Sequence, residues 1–272
     1  MALDLDGSLL TSRGELSARV REAVQATLRR GVVVTLATGR RLATTQSFAR
    51  DLGITAPLIV HNGAVVAEPG SGRPLHQLTM CRDTAGRALE ELRAAGLGVF
   101  LYQAVFPDET IYYDAPRTLE SMKRFYFEVD DHLRYAPDLA SCCSEGALRL
   151  IAVGSREATS RALGRLHQSA WGGRVLAWPE VLAGEVVTEF QHRDTSKAAG
   201  LRALAGALGI PRERVLAIGD HVNDLEMIRD AGLGVAMGNA PPQVKEAAGW
   251  ITRDCDHDGV AWALEVLVLN KG

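Results

Sequence analysis

The chain has 272 residues, 47% of them apolar and 23% charged, with a formal net charge of −3. That length suits two packed domains, and the composition is that of a globular chain with a sizeable core, which excludes wholesale disorder. Arginines are scattered instead of gathered in a basic block, and the longest apolar runs, at 31–37 and 215–219, are strand-sized; nucleic acid and membrane are therefore not expected partners.

No basic-then-apolar leader opens the chain, and Cys81, Cys142, Cys143 and Cys255 follow no metal-ligand spacing. The expectation is a cytoplasmic protein with reduced thiols.

Ser17, Val20, Val24 and Leu28 have helical spacing with Gly31 just beyond, which predicts a helix over about 17–30. The β-branched run 32–37 and then 58–60 read as strands buried on both faces of a parallel sheet. Between 82 and 187 the texture changes. Helical stretches near 83–95, 116–127 and 156–168 are interleaved with strand-like runs near 98–103, 109–113, 147–153, 173–178 and 185–190. Strands in direct succession predict a mixed or antiparallel sheet, hence an inserted α+β cap over 82–187. Further on, 197–208 reads as a helix, 215–218 as a strand, 224–230 as a short helix and 234–237 as a strand. With 1–81, the segment 188–272 forms an α/β core with a doubly wound parallel sheet and right-handed crossovers.

Three polar clusters stand directly after apolar strands: Asp4-Leu5-Asp6-Gly7-Ser8, Thr38-Gly39-Arg40, and Gly219-Asp220-His221-Val222-Asn223-Asp224. A fourth, Thr195-Ser196-Lys197, opens a helix. Open α/β sheets bind ligands at the carboxyl ends of their strands, so the clusters converge. Asp4, Asp6, Asp220 and Asp224 then repel one another unless a cation sits among them, and hard oxygen donors of this kind suit Mg²⁺.

These four clusters, in this order, resemble the motifs of the haloacid dehalogenase superfamily. His-Asn-Gly-Ala at 61–64, Ala236-Met237 before Asn239-Ala240, and Asp258-Gly259-Val260-Ala261 are similar to the flanking text of its Cof-type phosphatases, subclass IIB. The resemblance covers the core, while the cap matches only in size and position. It implies a cap closing over the cleft and a Mg²⁺-dependent phosphatase that hydrolyses a small phosphorylated metabolite through an aspartyl-phosphate. In the roles it implies, Asp4 is the nucleophile and Asp6 the general acid and base. Mg²⁺ is held by the Asp4 carboxylate, the Asp6 carbonyl and Asp220, with Asp224 orienting metal-bound water or Lys197. Thr38, the Gly39 amide, Lys197 and Asn223 hold the phosphoryl oxygens. The substrate is a small molecule, with sugar phosphates first and phosphorylated cofactors second, and the protein is a monomer or weak homo-oligomer.

Each motif alone is weak: Asp-x-Asp is commonly a solvated turn, Thr-Gly-Arg a common strand exit, and Lys197 an ordinary helix residue. Their joint order carries the reading. Residues Asp254, Asp256, Asp258, Gly259 and Glu265 also fit a calcium-loop pattern, but Gly249 breaks the preceding helix, 250–252 reads as a strand, and Trp262 fills the ninth position. His221 is expected as a pocket wall.

Only Met1, Ala2 and Leu3 precede Asp4, where relatives carry a full strand. We take this as a hypothesis that the native chain starts upstream; an N-terminal mass beginning at this Met would end it. Three alternatives stand beside the phosphatase. A phosphomutase differs in product, a silent sugar-phosphate sensor lacks turnover, and a receiver-like phosphoacceptor is about half as long and has no insert.

Overall fold

The structure, a computed structural model, describes residues 1–103, 109–115, 132–182 and 184–270, the side chains of 178–182 excepted. It divides into two compact units: Met1–Gln77 with Thr195–Gly272, and Leu78–Asp194. The helix expected over 116–127 lies outside the described residues.

β1 (Ala2–Leu3) opens the chain and runs into a turn at Leu5–Leu9. The helix Ala18–Arg29 begins where Ser17 Oγ accepts from the Val20 amide, which satisfies an otherwise orphaned donor. β2 (Thr35–Leu36), the helix Leu42–Leu52 and β3 (Leu58–Val60) follow. β2 is shorter than the run 32–37 suggested, because its neighbour β1 offers only Ala2 and Leu3 as ladder partners. β3 pairs antiparallel with β4 (Val65–Ala67), which pairs with β5 (Pro74–Gln77), and β3 touches the parallel sheet through the single bridge Ala37–Ile59. The expectation that 58–60 is a buried strand of the parallel sheet holds at that parallel bridge, and beyond it His61 and Asn62 take positive φ and reverse the chain into β4.

The second unit contributes the helix Arg82–Ala94, β6 (Gly98–Gln103), β7 (Ile111–Tyr113), β8 (Leu133–Tyr135), β9 (Ala147–Ser155), the helix Arg156–Gln168, β10 (Gly173–Leu182) and β11 (Glu185–His192). Among the described residues its strands are ordered β10-β11-β9-β6-β7-β8, antiparallel except for β7 with β8. Leu89 and Leu92 of the first helix and Ala162 and Leu166 of the second pack on Val99, Leu101, Leu150 and Phe190. Arg149, one residue out of phase with Leu150, pairs in register with Tyr102 and Gln191; its guanidinium lies 4.1 Å from the Tyr102 ring centroid and 3.4 Å from Glu189, all buried.

Back in the first unit come the helix Lys197–Ala207, β12 (Leu216–Gly219), the short helix Leu225–Asp230, β13 (Leu233–Ala236), the helix Pro242–Ala247, β14 (Trp250–Ile251) and the helix Gly259–Leu264. The parallel sheet is ordered β14-β13-β12-β1-β2, so β1 sits between β12 and β2 despite its brevity. Ala2, Ala37, Ile59, Ala198, Leu201 and Ala217 form the apolar floor beneath the carboxyl ends of these strands. Among the described residues, no helix is long and apolar enough to cross a membrane.

Candidate active site

Asp4 leaves the end of β1, its amide donating to Ile218 O at 2.9 Å, and is buried. The chain then turns through Asp6 and through Gly7, which has φ +77°. Only glycine fits at Gly7. A Cβ would lie 2.4 Å from Asp220 Oδ2, so the turn and the β12 exit pack main chain against carboxylate. Asp220 is held in return: Ser8 Oγ donates to Oδ1 at 3.0 Å and Asn239 Nδ2 to Oδ2 at 3.1 Å, the same amide also reaching Gly7 O at 2.8 Å.

Asp224 is fully buried on the turn after β12. Its Oδ2 accepts from the amides of Asp220 and His221, each at 3.0 Å. Its Oδ1 accepts from Lys197 Nζ at 2.6 Å, and Lys197 Nζ also reaches Asp4 Oδ1 at 2.6 Å. Lys197 is the first residue of its helix, and Ser196 Oγ accepts from the Ala199 amide as the cap. The helix comes so close to the turn after β3 that a Cβ on Gly63 would lie 1.9 Å from Ser196 O. This approach delivers Lys197 to the carboxylates.

Carboxylate oxygens of Asp4, Asp220 and Asp224 lie within 4.8 Å of one another, the only such group among the described residues. At that spacing and an effective dielectric of about 20, each pair of full charges repels by about 3.5 kcal/mol or more. Burial, then Asp224, raise the Asp4 carboxyl well above the ordinary carboxylate range, against the opposing pull of Lys197. Burial and Asp224 raise Asp220 likewise. Burial lowers the Lys197 ammonium, but Asp224 and Asp4 outweigh it and hold it above the usual lysine value. Three carboxylates face one lysine, and every donor is a hard oxygen. This set fits a divalent ion such as Mg²⁺, which removes the excess negative charge.

The Asp6 carboxylate stands apart from this group. Half exposed, it accepts from Arg40 Nε at 2.9 Å and Nη2 at 2.6 Å. Thr38 follows the bridge residue Ala37, its amide donating to Ile59 O at 2.9 Å and its Oγ1 accepting from the Arg40 amide at 3.1 Å. Asn62 N–H donates to Thr38 O at 2.9 Å, and Asn62 Oδ1 accepts from Asn223 Nδ2 at 2.9 Å. A Cβ on Gly39 would lie 3.0 Å from that same Asn62 oxygen. Thr38, Gly39 and Asn223 are therefore joined through Asn62, while Lys197 joins Asp4 to Asp224.

Three supporting side chains had no role in the sequence reading: Asn62 and Asn239, quoted there only as flanking text, and Ser8, noted only for its hydroxyl. Asn62 carried one usable signal, an Asn-Gly pair directly after a strand, which marks positive φ. The calcium-loop pattern is dismantled in the fold. Asp256 accepts from the Ser12 amide, Asp258 from Ser17 Oγ, Asp254 contacts His257, and Glu265 pairs with Arg19.

A family model described as haloacid dehalogenase-like hydrolase matches residues 1–264. The chain belongs to the haloacid dehalogenase-like hydrolase family. Two Bacillus subtilis relatives are similar over nearly their whole length. The stress response protein YhaX is 28% identical over 284 residues, covering 97% of this chain and 91% of its own. The 5-amino-6-(5-phospho-D-ribitylamino)uracil phosphatase YcsE is 29% identical over 276 residues, covering 99% and 95%. The crystal structure of a haloacid dehalogenase-like hydrolase from Bacteroides thetaiotaomicron superposes with a TM-score of 0.82 at 27% identity, covering 98% of each chain. The protein is a phosphoric monoester hydrolase of this family, whose members include phosphatases of small phosphorylated metabolites and are typically Mg²⁺-dependent.

Proposed function

We propose that this chain hydrolyses a small phosphomonoester in two steps through phosphorylated Asp4. The observation that carries the reading is the Asp4 carboxylate at the end of the central strand, bonded to Lys197 and grouped with Asp220 and Asp224. In the first step Asp4 Oδ attacks phosphorus as the bond to the leaving oxygen breaks, and protonated Asp6 gives that oxygen its proton. In the second, carboxylate Asp6 takes a proton from water as the water oxygen attacks phosphorus. The bond to Asp4 breaks, phosphate leaves, and Asp4 returns as a carboxylate.

Lys197 steadies Asp4 and donates to phosphoryl oxygens, together with the Thr38 hydroxyl, the Gly39 amide and the Asn223 amide. Mg²⁺ would be held by the Asp4 and Asp220 carboxylates and the Asp6 carbonyl, and supplies charge neutralisation for the transferring group. Asp224, both of whose oxygens already accept hydrogen bonds, acts by orienting Lys197 and the Asp220 backbone. For substrate we favour sugar phosphates, then phosphorylated cofactors; the name of YcsE adds a phosphorylated ribityl compound to that class.

Turnover of para-nitrophenyl phosphate should require Mg²⁺, vanish with EDTA, and be absent in Asp4→Asn. Phosphate release should then be screened across sugar phosphates, pyridoxal phosphate and 5-amino-6-(5-phospho-D-ribitylamino)uracil. Activity that survives both chelation and Asp4→Asn rules the reading out.

A further inference from the structure

The Asp6 carboxylate is more than half exposed, and a side chain so placed samples several rotamers unless something holds it. Arg40 holds it by two parallel bonds, Nε to Oδ2 and Nη2 to Oδ1, the fork geometry that fixes a carboxylate in both position and plane. Arg40 is itself anchored. Its amide donates to Thr38 Oγ1 at 3.1 Å, its carbonyl accepts from the His61 amide at 2.9 Å, and its guanidinium carbon lies 5.3 Å from the Phe48 ring centroid on the helix Leu42–Leu52. A carboxylate has about four lone-pair sites and the fork takes two, so the group keeps sites for a proton and a water.

We infer that Arg40 is a positioning residue that aims Asp6 at the leaving oxygen, and that it acts on substrate only through Asp6. This rests on the reading of Asp6 as the general acid and base. The consequence is selective by leaving group. Departure of an alkoxide needs a proton in the transition state, whereas para-nitrophenolate leaves readily without one, so a loosened Asp6 slows alkyl phosphates most. A lysine at 40 keeps the charge but not the fork.

The test compares kcat and KM for glycerol 3-phosphate, or whichever alkyl phosphate the screen returns, with those for para-nitrophenyl phosphate. Asp6→Asn should lower kcat on the alkyl ester about a hundredfold or more, and far less on the nitrophenyl ester. Arg40→Gln should lower kcat on the alkyl ester by about tenfold with KM little changed, Arg40→Lys should fall between, and Phe48→Leu should give a smaller loss with the same preference. In the Asp6→Asn background, Arg40→Gln should cost almost nothing further on the alkyl ester.

Equal losses on both esters for Arg40→Gln, a rise in KM common to both, or additive losses with Asp6→Asn would each overturn the proposal while leaving Asp6's role intact. If Asp6→Asn itself shows no leaving-group preference, the acid and base reading fails first and this one with it. Should Arg40→Gln not fold, Arg40→Lys and Phe48→Leu decide alone.

Discussion

The two units keep buried charge in different ways. In Met1–Gln77 with Thr195–Gly272, the charges of Asp4, Lys197, Asp220 and Asp224 stand at strand and helix ends, three carboxylates to one lysine, with main-chain amides completing Asp224. In Leu78–Asp194, Arg149 and Glu189 stand in mid-strand and face each other at 3.4 Å, with Tyr102 on the guanidinium. The first arrangement carries an excess of negative charge that suits a divalent cation. The second lies between paired strands. Like charge gathered at strand ends accordingly marks the region of chemistry, whereas the buried pair belongs to a sheet interior.

The largest way to sharpen this contrast is Asp4→Asn. Turnover should drop by more than about a thousandfold, as expected when a nucleophile is removed. The same change should raise the melting temperature of the metal-free protein, because one of three mutually repelling carboxylates goes while an amide oxygen still accepts from Lys197. A variant that is both inactive and less stable would show that the bond from Lys197 to the Asp4 carboxylate outweighs the repulsion.

The opposite unit should answer in the opposite sense. Arg149→Leu removes the buried cation that faces Glu189 and should destabilise by about 3–5 kcal/mol, and adding Glu189→Leu measures how much of that loss their pairing carries. Denaturant melts of both variants measure it. Equal losses in the single and double variants would mean that packing against Tyr102, not charge balance, holds the position.

This contrast also explains what was legible in the sequence. Asp4, Asp6 and Gly7, or Asp220, Asn223 and Asp224, are contiguous because a strand end followed by a tight turn delivers neighbouring residues to one place, and Gly7 has no alternative beside Asp220. The helices Ala18–Arg29, Arg82–Ala94 and Arg156–Gln168 and strand β6 were likewise readable from period and caps. Arg149, Glu189 and Tyr102 are joined only by strand register, and no spacing along the chain encodes which strand of an inserted sheet lies beside which. Asn62 and Asn239 escaped for a related reason: each serves the site across long sequence separations, bonding to Asn223 and to Gly7 O. The antiparallel turn after β3 was missed because three apolar residues cannot announce the direction of their partner.

Mg²⁺ should distinguish the units by pH. Burial and like charge raise Asp4 and Asp220, so the folded metal-free protein keeps protons that the unfolded chain has already lost. Stability from these groups is therefore fully present below the unfolded carboxylate range, about pH 4, and is lost as pH rises through their raised folded values. A bound divalent ion replaces those protons, so its stabilisation should grow across the same rise, reaching about 2.7 kcal/mol at a hundredfold excess over Kd. Thermal shifts with and without Mg²⁺ at several pH values test this. A shift of constant size would place the ion away from Asp4 and Asp220.

Thiol labelling reads the interiors directly. Burial pushes the Cys143 thiol up to about 11, and its side chain lies in the apolar layer of the second unit beside Leu139 and Ala147. Cys81 is exposed, and a hydrogen bond with Thr84 lowers its thiol below the ordinary value. At pH 8 the smaller thiolate fraction alone should slow alkylation of Cys143 by roughly a hundredfold relative to an ordinary cysteine, and its greater intrinsic nucleophilicity returns only part of that. Iodoacetamide followed by peptide mass mapping should find Cys81 modified first and Cys143 last. Cys255, nearly buried beside the loop that holds Asp254 and Asp256, should label in between. If Cys143 reacts as early as Cys255, the apolar layer of the second unit opens as readily as the loop beside the carboxylate site.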